Sequence, residues 1–514
     1  MRHTAATAFA LGALCTLLVA PSRGASPLSL LQAARAREMI LGLDLEDARR
    51  TLEGQPSEAP EIPRERGRLA LYEADCDAAA SALAPLALAK DEEGSMLLDI
   101  ARGCARVTAA VVEDRDDASG VVVRYQDEAD RALTPLIVET IIKARTSLSR
   151  DLGVTWPAPM RVIVVRDLLS LSAMTGLPYE SAQTTGTVAV AKWGRVTLLS
   201  PRASQHGYAW RDTLAHELTH LAVTRLTVDR APLWLQEGLA KREEVRWRAT
   251  GPFDDRPSAD AVARRGIDKK LDLPLGNLGP SIAMLPSAEA ASAAFAEVTS
   301  FVRFYATTAG DAALKQLLAE LRGGKNVDDA LKVASGSDLA GWDTKWRAEI
   351  MKRASEPVPG LDPPSVDPKA LSALRDRVRL TELLFGREHF AEAQTELTQA
   401  ARSPIVARDP SFAYLTARVT ERAATAELAR ASVADPVRVA GSYGPWWAVR
   451  GRLAQSAGDA AVSEPSFIEA VGEDPFSIEA SCRSLTPAAP ALSPPASALC
   501  AAARAASEPD LGRN

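Results

Sequence analysis

Five consecutive residues, His216-Glu217-Leu218-Thr219-His220, carry the most specific chemistry in this chain. On a helix, positions i and i+4 leave the same face one turn apart. Both imidazoles can therefore reach one Zn²⁺ at about 2.0–2.1 Å. Glu217 lies on the flank of that face, where its carboxylate can take a proton from a water at the metal without filling a coordination position. After a short break, Glu237 in Trp234-Leu235-Gln236-Glu237-Gly238-Leu239-Ala240 can supply a third ligand. Two His and one Glu leave the fourth tetrahedral position open, as hydrolytic zinc requires. The chain has five His. His3 lies in an apolar leader, so two of the other four fall in this motif. A surface helix bearing two His would spell the same letters. Leu214, Leu218, Leu221 and Val223, however, give the segment an apolar side, and buried His and Glu side by side are costly without a metal.

These residues need a helix from about Trp210 to Thr227 and, after Pro232, a second helix that carries Glu237. Upstream the pattern becomes β-rich. Val121–Tyr125, Met160–Val165, Thr187–Ala191 and Arg195–Leu199 read as strands, the last two joined at Lys192-Trp193-Gly194 as a hairpin. Residues 129–152 have helical periodicity. Glu113-Asp114-Arg115-Asp116-Asp117 reads as a charged turn before the first strand. Residues 251–288, rich in Gly, Pro and Asp, read as a long surface loop, with helices again from about 289 to 354.

The middle third resembles the peptidase MA-like domain of gluzincin zinc metallopeptidases. The resemblance rests on Gly186-Thr187-Val188-Ala189-Val190, Leu199-Ser200-Pro201-Arg202, the helix through His216 and His220, and Trp234–Ala240. It implies an α+β zincin-like metallopeptidase core, a small mixed sheet plus the active-site helix and a helical lower subdomain. In that family His216, His220 and Glu237 would bind zinc, and Glu217 would be the general base, passing its proton to the leaving amine. Strand 195–199 or its neighbour would be the edge that pairs with an extended peptide or protein substrate. There are two departures. Related aminopeptidases place a Tyr on the later helix to stabilise the oxyanion, and alignment on Ser300-Phe301-Val302-Arg303-Phe304-Tyr305 puts Phe295 there; Tyr208 and Tyr305 are the candidate substitutes. Lys241 stands where thermolysin-like enzymes carry an acidic partner for the metal shell, leaving Asp212, one turn before His216, as the candidate.

The flanks are Ala-rich and helical. A chain of 514 residues exceeds one ordinary core. Its expected parts are an export signal at 1–25, a helical domain at 26–117, the metallopeptidase domain at 118–355, a Pro-rich linker at 356–367 and a helical domain at 368–514. The two all-α ends resemble degenerate tetratricopeptide-type repeats, as in Gly458-Asp459 followed by Phe467-Ile468-Glu469-Ala470-Val471 and Asp474-Pro475. Such helices could hold a protein partner. A generic helical domain would read similarly. The family is often found in bacterial exported proteins with such flanks. Arg2, the apolar run 5–20 and the small residues Ser22, Gly24 and Ala25 mark the signal. Its cleavage would leave a periplasmic or secreted protein with no membrane span; without cleavage it would be a tether. Export makes Cys76–Cys104 and Cys482–Cys500 the simplest disulfides, with buried free thiols the alternative. The net charge of −6 argues against nucleic acid. Two further readings stay open: a helical binding or assembly protein with a low-activity core, and a zinc hydrolase acting on an ester or glycan. Intact Glu217 favours the enzyme.

Overall fold

The computed structural model describes residues 27–56, 59–156, 159–362, 367–483 and 494–507. The expected signal at 1–25 lies outside them. Among the described residues no helix is long and apolar enough to cross a membrane.

Five helices come first: α1 Pro27–Leu41, α2 Leu45–Leu52, α3 Glu61–Tyr72, α4 Cys76–Leu88 and α5 Glu92–Thr108. Asp75 and Asp91 cap α4 and α5, each carboxylate accepting from a backbone N–H of the first turn. A disulfide joins Cys76 to Cys104, with Cα atoms 5.6 Å apart.

The chain then enters a five-stranded mixed sheet in the order β1-β2-β3-β5-β4. Its strands are β1 Val112–Asp116, β2 Val121–Tyr125, β3 Met160–Val165, β4 Ala189–Lys192 and β5 Arg195–Leu199. β2, β3 and β5 are parallel, while β1 and β4 are antiparallel edges. The charged turn expected at 113–117 is therefore a strand, and the sheet begins before the boundary expected at 118. Charged residues suit an edge strand, which they shield from pairing with other chains. Here Glu113 meets Arg124 at 2.7 Å and Asp114 meets Arg131 at 2.6 Å. At the other edge Trp193 and Gly194 take φ of 55° and 66°, the left-handed pair that a two-residue hairpin needs.

Alternation divides the sheet faces. Val121, Val123, Val162, Val164, Val196 and Leu198 point into the main core. There they meet α6 Thr134–Leu152 and α9 Trp210–Thr227. Ile163, Val165 and Leu199 point the other way, against Cys76, Cys104 and α7 Leu168–Thr175. A short helix, α8 Tyr179–Thr185, leads into β4.

Below α9 lie α10 Leu233–Glu243, α11 Ala259–Asp268, α12 Ala288–Ala309, α13 Asp311–Arg322, α14 Val327–Ser335 and α15 Leu339–Ile350. The loop expected at 251–288 contains α11. Ser258 caps it, and Val262, Ala263 and Gly266 are its buried residues, so a short amphipathic run prevails over the flanking Gly and Pro. The Pro-rich segment is not a free linker where it is described. Val358 and Leu361 are buried, and Asp362 accepts from Arg265 at 2.5 and 2.8 Å.

The C-terminal part is helical: α16 Pro368–Gly386, α17 Phe390–Ala400, α18 Pro410–Ala423, α19 Ala426–Ser432, α20 Gly444–Ser456, α21 Ala460–Glu473, α22 Ile478–Ser481 and α23 Pro494–Ser507. Cys482 and Cys500 are joined. This part docks on the start of α9, where the Tyr208 N–H donates to the Glu473 carbonyl at 3.0 Å.

Candidate active site

α9 is buried along most of its length, from Trp210 to Thr227. After it, Val228 and Asp229 sit at φ 53° and 57°, two successive left-handed residues that turn the chain sharply. Pro232 precedes α10, which returns beneath α9 with Glu237 facing the two His. Gly238 makes that approach feasible. A Cβ there would come within 2.4 Å of Val302 Cγ2 and 2.6 Å of the Val298 carbonyl, so α10 packs closely on α12.

The three expected ligands converge. His216 Nε2 and His220 Nε2 are 3.2 Å apart, and Glu237 Oε2 is 3.6 and 3.5 Å from them. Four donors at 2.0–2.1 Å in a tetrahedron stand about 3.3–3.4 Å from one another. The triangle has that size. Two neutral imidazole lone pairs at such a distance repel unless a proton or cation lies between them, so the donor set fits a metal ion. Burial works against the imidazolium of His216, but the hydrogen bonds it donates to Glu237 and Glu244 raise its pKa. Burial also opposes charge on Glu237, yet His220 and His216 hold it below the usual carboxylate range.

Glu217 shares this cluster with His216 and His220, all three offering an atom within 4.8 Å of the others. Its Oε2, however, accepts the backbone N–H of Ala191 at 2.5 Å. Glu237 is thus the candidate third ligand that makes no such backbone contact, and Glu217 stands between the two His and the sheet edge. That edge is β4, not strand 195–199, which is internal. Ala191 is paired with Val196, and Leu199 donates to Val188 in the same ladder. Alternation therefore turns the N–H and C=O of Ala189 and Ala191 outward.

The acidic partner of His216 is Glu244, whose Oε2 lies 3.0 Å from Nδ1. This corrects the expectation for Asp212, which is held by Arg248 at 2.5 and 2.9 Å and by the Trp247 indole at 3.0 Å. Lys241 reaches both Glu244 oxygens, at 3.0 and 3.1 Å. Glu237, Lys241 and Glu244 are spaced i, i+4, i+7. That face was readable, but a search one turn beyond the ligand stops at Lys241. Neither candidate hydroxyl is free. Tyr208 donates to the Leu199 carbonyl, and Tyr305 donates to Ser335 Oγ at 3.1 Å, packed edge-on against Trp342. Phe295 lies with its ring 5.6 Å from the Lys241 ammonium.

A cavity of about 670 Å³ opens beside Glu244 and Lys241. Asp212 and Thr213 of α9 line one side, and Glu469 and Glu473 of α21 the other.

Residues 140–352 match the family model of the Peptidase MA superfamily. The middle of the chain is a peptidase MA-like domain. Its mixed sheet, active-site helix and helical lower part are those of a zincin-like core, with helical regions on either side. The match points to a metallopeptidase-like function. No curated protein matches the chain. Within the peptidase MA-like domain, α9 and α10 supply every side chain of the donor triangle, and β4 supplies the facing backbone.

Proposed function

We propose that the protein is an exported zinc-dependent peptidase of the gluzincin type. The observation that carries this reading is the donor triangle of His216, His220 and Glu237, sized for tetrahedral zinc. Zinc at this position supplies a Lewis acid that polarises the scissile carbonyl and makes water a nucleophile near neutral pH. Glu244 fixes the His216 ring by accepting from Nδ1–H, which leaves the Nε2 lone pair for the metal. Glu217 takes the proton of the attacking water and returns it to the leaving amine. Ala189 and the carbonyl of Ala191 on β4 bind the extended substrate backbone, with the Ala191 N–H aligning Glu217. The helical flanks, read as tetratricopeptide-like, hold a protein substrate or partner.

The second reading is a binding or assembly protein with a low-activity core. The engagement of the Tyr208 and Tyr305 hydroxyls elsewhere, with Phe295 at the expected Tyr position, favours it. A proteolysis screen over a broad peptide library, with and without chelator, separates the two. Cleavage abolished by chelator and by Glu217→Gln supports the enzyme. No cleavage by zinc-loaded parent protein supports the binding protein.

A further inference from the structure

The sheet face opposite α9 carries an unusual row. Val122 of β2 is paired with Arg115 on one side and Arg161 on the other. Val162 of β3 is paired with Val196 of β5, so Arg161 and Arg195, one residue earlier on each parallel strand, stand side by side. Arg124 follows Val122 by two residues and joins the same face. Like charges on neighbouring strands repel, and a buried guanidinium is costly unless it is paired.

Pairing is incomplete. Glu113 meets both Arg115 and Arg124 at 2.7 Å. Glu73 is taken by Arg49. Arg195 is fully buried. Its Nη1 donates to the Leu71 carbonyl, Nη2 lies 3.5 Å from Cys104 Sγ, and Nε has no partner among the described residues. Arg161 donates to the Pro159 carbonyl at 3.4 Å, and no carboxylate among the described residues stands within 4 Å of it. The charges acting on Arg161 are Glu73 against the guanidiniums of Arg124, Arg115 and Arg49. Arg49 also meets Glu46 at 2.5 Å, so five guanidiniums at this corner face three carboxylates, Glu46, Glu73 and Glu113. Burial, followed by Arg124 and Arg161, pulls Arg195 down to about 9.

Arg115, Arg124, Arg161 and Glu73 line a pocket of about 100 Å³. It is small, of a size for a few waters or one small oxyanion. Guanidinium forks approaching from three strand positions suit several acceptor oxygens on one centre. The turn between α3 and α4 closes the pocket. The end of α3 offers the Leu71 carbonyl to Arg195, and the turn offers the Ala74 carbonyl to Arg124, the latter at 2.6 Å.

We propose that this pocket binds a tetrahedral oxyanion of phosphate or sulfate size, which locks the N-terminal helices onto the sheet. The inference is independent of the metal centre on the other face. Calorimetric titration of the zinc-loaded full chain with inorganic phosphate, and separately with sulfate, tests it. Saturable uptake of one anion per chain is expected, with slower amide exchange at residues 71–75. Arg161→Gln should weaken the affinity about tenfold or more, and Arg115→Gln, at the exposed rim, by less. Absence of saturable binding overturns the proposal. So does equal affinity in parent and Arg161→Gln, as phosphate on the metal would give. Acetate binding as tightly as phosphate would assign the pocket to carboxylates and overturn the oxyanion. If Arg161→Gln does not fold, unchanged affinity in Arg115→Gln overturns it.

Discussion

The two faces of the sheet gather opposite excesses. On the α9 side, two imidazoles and a carboxylate converge within 3.6 Å, an electron-rich set that calls for a cation. On the other side, guanidiniums from four strands converge around two carboxylates, a set that calls for an anion. The first set is oriented by further groups: Glu244 on His216, and Lys241 on Glu244. The second is oriented by backbone, through the Leu71 and Ala74 carbonyls. Side-chain orientation holds a site to the precision that chemistry needs, whereas carbonyl ties dock one domain against another. In the reading proposed above, the metal side is the reactive one and the arginine side a structural clamp.

This contrast can be broken by mutation. The largest effect should come from Glu217→Gln, which keeps the shape and the donor triangle but removes the proton acceptor. Peptide hydrolysis should fall by more than the ~10²–10⁴ of general base catalysis alone, because the same group also returns the proton. Kinetics at wild-type rate would refute the role. Glu244→Gln comes next. It should weaken zinc affinity about 10–100-fold in a competition titration with a chelator, while Asp212→Asn should leave it nearly unchanged. The reverse order would restore Asp212 as the partner of His216. Gly238→Ala drives a methyl into Val302 and the Val298 carbonyl. Overpacking of this kind costs about 1–3 kcal/mol, read as a lower denaturation midpoint, with weaker zinc binding as Glu237 moves. A fully stable variant with parental zinc affinity would show that α10 has slack. Tyr208→Phe should have the smallest effect, a change in kcat below about tenfold, since its hydroxyl is spent on the Leu199 carbonyl. A loss like that of Glu217→Gln would instead make it the oxyanion donor.

The convergence of His216, His220 and Glu237 was legible because they sit on two consecutive helices, two of them within five residues. The strands β2, β3 and β5 were equally legible, being short β-branched runs. What the sequence hid depends on distant pairing or on weak local signals. β1 is charged, and it pairs with β2 while Arg124 and Arg131 meet its acids. α11 lies among Gly and Pro and is defined by contact with α12. Glu244 lies two turns past Glu237, beyond a Lys that breaks the acidic expectation. Tyr208 and Tyr305 could not be assigned before their acceptors were placed. The arginine row was least visible, since Arg115, Arg124, Arg161 and Arg195 meet only through strand register.

The central claim is that three side chains build one zinc site in which Glu217 takes no part as a ligand. Elemental analysis of purified parent, Glu217→Gln and His220→Ala proteins tests it most directly. The account predicts about one zinc per chain in the parent and in Glu217→Gln, and most of the metal gone from His220→Ala. Stoichiometric zinc retained in His220→Ala, or zinc lost from a folded Glu217→Gln, would contradict it.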